Sequence, residues 1–162
     1  DKQMKGKTNA MRLLEQAKIP FSTVEYEVDE SDLSGEHVAA QLGQPVEQVF
    51  KTLVVRGEKN GIMVCCIPVA EELDLKKVAI LTKDKKVEMI HVKELLGLTG
   101  YIRGGCSPIG MKKKYPTYID ETAILFDQIY ISAGVRGAQI VISPEQLISY
   151  VDAKEADLVK EK

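Results

Sequence analysis

Val49-Phe50-Lys51-Thr52-Leu53-Val54-Val55-Arg56, Gly57-Glu58-Lys59-Asn60-Gly61 and Ile62-Met63-Val64-Cys65-Cys66-Ile67-Pro68-Val69 follow one another without a break. The first run is apolar and β-branched, as strands favour. The middle stretch has the chemistry of a hairpin loop, and the third is its returning strand. If Phe50, Thr52 and Val54 share one face, then Lys51, Leu53 and Val55 share the other. Lysine on that second face has two readings. Either it sits at an edge and extends its amine to water, or it points into a cavity where it can bind an anionic or carbonyl group. Cys65 and Cys66 point to opposite faces of their strand, which suits core residues and not a disulfide pair.

Outward from the hairpin, Thr8 can cap a helix whose apolar residues Ala10, Met11, Leu13, Leu14 and Ala17 recur at helical spacing. The chain past Pro20, Phe21 to Val28, alternates as a strand. Ser34 can cap a helix over Glu36 to Leu42 that ends at Gly43. Glu71 to Leu81 and His91 to Leu96 read as helices, and Thr117 to Ile119, Gln128 to Ser132 and Ala138 to Ile142 as strands. Ser143-Pro144-Glu145 opens a last short helix. The tail from Asp152 is charged and is expected to be mobile. Strands and helices mix without a regular βαβ rhythm, which favours a single α+β domain around a curved or closed sheet. The domain is expected to cover residues 8–158, with flexible ends at 1–7 and 159–162.

The chain has 162 residues, 44% hydrophobic and 28% charged, an ordinary globular composition with room for one core. The longest apolar run, Ile62 to Ala70, is too short to span a bilayer and contains Pro68. The polar start, Asp1 to Lys7, has no secretory pattern, so a cytoplasmic location is the expectation. Three cysteines without CxxC spacing and two histidines, His37 and His91, give neither a disulfide framework nor a zinc set. A chain with no metal and no cofactor is expected. The net charge of −2 disfavours gripping a long nucleic-acid duplex. The lysine run Lys112, Lys113 and Lys114 reads either as solvated surface or as a local phosphate-binding rim.

Two further segments can carry chemistry. Gly104-Gly105-Cys106-Ser107-Pro108-Ile109-Gly110 is a loop that can aim N–H groups at a phosphate or a carbonyl oxygen, or simply connect two elements. It matches neither GxGxxG nor GxxxxGK[ST]. Ser132-Ala133-Gly134-Val135-Arg136-Gly137 is a glycine-bearing hairpin turn, and no GxSxG elbow surrounds Ser132. Cys106 has no base nearby in sequence to activate it.

Together, Phe50-Lys51-Thr52-Leu53, the Gly104 to Gly110 loop and Ile131 to Gly137 resemble the YbaK/EbsC family. Thr8-Asn9-Ala10, Lys18-Ile19-Pro20-Phe21 to Tyr26, and Lys85-Lys86-Val87-Glu88-Met89 are similar to it too, in the same order over nearly the whole chain. The resemblance implies a mixed, barrel-like sheet flanked by short helices, and kinship with the editing domain of bacterial prolyl-tRNA synthetases. It also implies a deacylase that removes cysteine from mischarged tRNA for proline. Lys51 would be the essential lysine, Gly104, Gly105, Ser107 and Pro108 would form the loop at the ester, and Tyr26 and Ser132 would line the pocket. Gln139 falls where the family often has an acid, and Val135 where it often has lysine. The substrate's own thiol would attack its ester carbonyl, so no protein nucleophile is required. The partners implied are the CCA end of tRNA and prolyl-tRNA synthetase. Alternatives are an alanyl-tRNA deacylase that uses water, and a non-catalytic tRNA- or nucleotide-binding or regulatory module.

Overall fold

The structure, a computed structural model, describes residues 6–162. Residues 1–5 of the expected flexible start lie outside the described residues, and Lys7 pairs with Glu15 at 2.7 Å. Helix α1, Asn9–Gln16, begins where Thr8 accepts from the Met11 N–H, and α2, Gly35–Leu42, where Ser34 accepts from the His37 N–H. Between them β1, Phe21–Glu25, runs antiparallel to β7, Ala138–Ile142, which pairs in turn with β6, Ile129–Ser132. These three strands form one sheet.

The hairpin of β2, Phe50–Gly57, and β3, Gly61–Pro68, anchors a second, five-stranded sheet of order β4-β2-β3-β5-β8. Its other members are β4, Val87–Met89, β5, Thr117–Asp120, and β8, Lys154–Ala156. The hairpin loop is held by Asp84, whose carboxylate accepts from the N–H groups of Lys59 and Asn60. Burial raises the Asp84 pKa, yet those donors outweigh it and hold the carboxyl at about 2.

Side-chain alternation along β2 and β3 divides the core as the hairpin reading requires. Phe50, Val64 and Cys66 pack toward α1, β6 and β7, while Val55, Met63, Cys65 and Ile67 pack under α3, Leu75–Thr82. All three cysteines are free thiols.

The structure changes four expectations. A barrel-like closure does not form: the two sheets meet at one parallel bridge, Val49 to Tyr130. A turn over residues 46–48 immediately precedes Val49, so the ladder cannot extend on that side. Helix α3 starts at Leu75, not Glu71, because Asp74 accepts from the Lys76 and Lys77 N–H groups and sets the cap there. Helix α4, Val92–Thr99, runs through Gly97 to a left-handed cap at Gly100, so the glycine-rich stretch is partly helical. The tail from Asp152 is built into the fold: β8 pairs with β5, and Leu158 is fully buried beneath α3. Helix α5, Pro144–Val151, starts at Ser143 as expected.

Candidate functional site

A cavity of ≈ 370 Å³ opens between the start of α2, strand β2, the segment from Met89 to Leu95, and the loop from Arg103 to Cys106. That volume suits a small ligand or the end of a larger one. Lys51, Gly104, Ser132 and Gln139, far apart in sequence, all line it.

Lys51 stands opposite Ile67 in the hairpin, half-buried, on the face it shares with Leu53 and Val55. It lines the cavity, at a point where β2 pairs on one side only, since β4 reaches no further than Val55. Its amine has no ion-pair or hydrogen-bond partner among the described residues. Burial lowers its pKa from the ordinary lysine value, and the carboxylates of Glu36, Glu72 and Glu71 act against that fall. The arrangement is a cation held beside a partly apolar wall with its donors unspent.

Gln139 lies opposite Ser132 in the β6–β7 ladder, so both side chains share a face. Gln139 is 6% exposed, and its Oε1 has no hydrogen-bond partner. An unpaired buried acceptor is costly unless a ligand supplies a donor. The Ser132 hydroxyl oxygen accepts from the Gly134 N–H, leaving its own proton to donate.

The loop is braced by backbone contacts and hydrogen bonds. Gly104 has φ +86°, a conformation that favours glycine. The Gly105 N–H is spent on the Ile102 carbonyl at 2.9 Å. A Cβ on Gly105 would meet the Val135 and Arg136 backbone at 3.1–3.2 Å, so the loop and the β6–β7 turn touch backbone to backbone. The Tyr101 hydroxyl braces the far end by donating to the Ile109 carbonyl. Gly104 and Cys106, both at the cavity wall, keep N–H groups with no partner among the described residues.

The remaining expected residues, Gly105 among them, sit outside the cavity wall. Ser107 is buried and turns its oxygen to the Ile109 N–H. Pro108 is buried behind the loop. Tyr26 follows β1, where its N–H donates to the Gly137 carbonyl, and its half-buried side chain does not line the cavity. Sequence reasoning missed Glu36, Arg103 and the wall from Met89 to Leu95, for which spacing carries no signal. Cys106 also faces the cavity, but burial pushes its thiol up to about 12, so it stays protonated at neutral pH. Neither histidine lines the cavity, and no group of three His, Cys, Asp or Glu among the described residues is placed to hold a metal. Among the described residues, no helix is long and apolar enough to cross a membrane.

An unpaired amine, unspent N–H groups and an orphaned acceptor surround one cavity of a small α+β domain, with no hydrogen-bonded nucleophile–base pair at its wall among the described residues. The chain belongs to the aminoacyl-tRNA editing domain family, whose model matches residues 31–150. It is 50% identical over 157 residues, 97% of this chain and 96% of the other, to the proposed Cys-tRNA(Pro)/Cys-tRNA(Cys) deacylase EbsC of Enterococcus faecalis. A solved structure described as a proposed trans-editing enzyme for prolyl tRNA synthetase superposes with TM-score 0.81 at 27% identity, over 94% of this chain and 97% of that one. Over 78 residues the chain is 30% identical to the proline–tRNA ligase of Thermosipho africanus, a match spanning 48% of this chain and 14% of the ligase.

If Gln139 serves a ligand and not the fold, replacing it should stabilise the empty protein. Gln139→Leu is expected to raise stability by about 1 kcal/mol, since it removes an unsatisfied buried acceptor. It should also raise KM for the ligand. Thermal denaturation beside steady-state kinetics checks both, and a fall in Tm would assign Gln139 a structural role.

Proposed function

We propose that this chain is a trans-editing deacylase that removes cysteine from mischarged tRNA for proline. The observation that carries the reading is the donor and acceptor set of the cavity, which can hold an aminoacyl ester, while the Cys106 thiol at its wall is kept protonated by burial. The 50% identity to a proposed cysteinyl-tRNA deacylase over nearly the whole chain supports the substrate.

Lys51 binds the ester carbonyl or the terminal ribose through its ammonium. The free N–H groups of Gly104 and Cys106 take up negative charge on the carbonyl oxygen as it develops. Gln139 Oε1 accepts from the substrate's α-ammonium, and Ser132 donates from beside it. The substrate thiol attacks its own carbonyl carbon, the C–O bond to the ribose breaks, and the proton lost by the thiol leaves with the ribose hydroxyl. The products are a cyclic thiolactone and free tRNA. Holding thiol and carbonyl together in a small cavity supplies most of the acceleration. With mischarged tRNA as substrate the enzyme acts in the cytoplasm, and prolyl-tRNA synthetase is the partner that delivers the error.

The test is deacylation of Cys-tRNA(Pro) beside Ala-tRNA(Pro). Cysteine is expected to be released at least tenfold faster, because the alanyl ester has no internal nucleophile. Equal rates would move the mechanism to water, and no rate above buffer for either ester would end the deacylase reading.

A further inference from the structure

The lysines that sequence offered as a phosphate rim do not line the cavity. Lys112 Nζ donates to the Gly97 carbonyl at 3.4 Å, and Lys114 pairs with Asp152 at 3.7 Å beside β5 and β8. Positive charge at the cavity comes from elsewhere. Arg103 is exposed and lines it, and Arg136 reaches across from the β6–β7 turn to donate its Nε to the Arg103 carbonyl at 2.9 Å. The Arg136 stem lies over Gly104: a Cβ there would stand 3.2 Å from Nε and 3.4 Å from Cγ. Lacking that Cβ, Gly104 lets the arginine lie flat against the loop.

The electrostatics of the two arginines differ from those of their neighbours. Arg56 is tied to Glu94 at 2.6 Å. Neither Arg103 nor Arg136 has an ion-pair partner among the described residues, and the carboxylates of Glu36, Glu71 and Glu72 act on Lys51. With Nε fixed on the loop backbone, the terminal nitrogens of Arg136 keep their donors. Two unneutralised guanidinium groups beside one cavity are what a phosphodiester requires, and such contacts set position and register without reading sequence.

We infer that Arg103 and Arg136 form a clamp for the phosphate backbone of the single-stranded tRNA end whose terminal ester enters the cavity, an inference that rests on the deacylase reading. Because the Arg136 side chain is bonded to the backbone of the loop that presents Gly104, a phosphate bound there is held in fixed register with the carbonyl-binding N–H groups.

The experiment compares kcat/KM on Cys-tRNA(Pro) with that on 3′-O-cysteinyl-adenosine, which has the ester and no phosphate, across a salt series. Arg103→Gln and Arg136→Gln are each expected to lose about tenfold more on the tRNA than on the nucleoside ester. The slope of log kcat/KM against log salt on tRNA should become shallower by about 0.7 for each arginine removed, the contribution of one single-strand phosphate contact. Arg103→Lys, which keeps the charge, should restore the slope, and Lys113→Gln should leave it at the wild-type value. An unchanged slope in both glutamine variants would overturn the clamp, as would equal losses on the two substrates. If the wild type cleaves neither substrate, the deacylase reading fails. The clamp is then read by the salt dependence of binding to an uncharged CCA-ended RNA, where the same slope changes are expected and their absence overturns it.

Discussion

Lys51→Ala is expected to lower kcat/KM for Cys-tRNA(Pro) by about 100- to 1,000-fold, the loss typical of removing one preorganised donor from developing negative charge. The same residue is expected to be a burden on the fold. Burial lowers the Lys51 pKa below its ordinary 10.5, so between the two values the folded chain binds fewer protons than the unfolded one. Stability therefore rises with pH across that window, and at neutral pH the charged amine costs stability. Lys51→Met keeps the apolar stem, removes the charge, and should give a Tm at or above that of the wild type while activity is lost. Activity should also decline at alkaline pH as the ammonium deprotonates below pH 10.5. Under the proposed mechanism the substrate thiol supplies the rising limb, so a bell-shaped profile is expected. Denaturation curves and pH–rate profiles on wild type and both variants test this. A Lys51→Met protein that lost several degrees of Tm and its activity together would make Lys51 a structural residue.

Lys51 also shows how far sequence reaches. The alternation in β2 placed it opposite Phe50 and Thr52 with no structural information, because period-2 patterning is a local property of the chain. Whether that face met water or a cavity depended on α2, the Met89 to Leu95 segment and the Arg103 loop, none of which local pattern can bring together. The same divide runs through the fold. Thr8, Ser34 and Ser143 were legible as caps because a cap is set within three residues of its helix. The Asp74 cap was masked by the preceding acidic pair, Glu71-Glu72, which continues a helical pattern on paper. Resemblance to a family pointed to Gln139 and Ser132 by position. Their being cross-strand neighbours, with one acceptor left unpaired, is a fact of the ladder.

The C-terminal strand is the sharpest case of structure overruling composition, and Leu158→Ala measures it. Lys154, Glu155 and Ala156 carry no strand pattern, since a polar edge strand needs only backbone pairing, here with Tyr118, Ile119 and Asp120. What fixes the segment lies just beyond. The Leu158 N–H donates to the buried Asp120 carboxylate at 3.0 Å, whose other oxygen accepts from Thr122 at 2.7 Å. The Leu158 side chain is fully buried with Met63, Cys65 and Ile67, directly behind the hairpin that carries Lys51. Leu158→Ala is therefore expected to cost about 2–5 kcal/mol, the range for a fully buried leucine. In a domain of this size that lowers Tm by roughly 5–15 °C. A mobile tail would show a change near zero. Asp120→Ala should destabilise the protein as well, because it leaves the buried Leu158 N–H unsatisfied. The two losses should fall short of additive, since both variants release the same segment. If thermal and denaturant unfolding gave strictly additive losses, the anchor and the side chain would be acting independently. The claim that the terminal segment locks onto the hairpin as one unit would then fail.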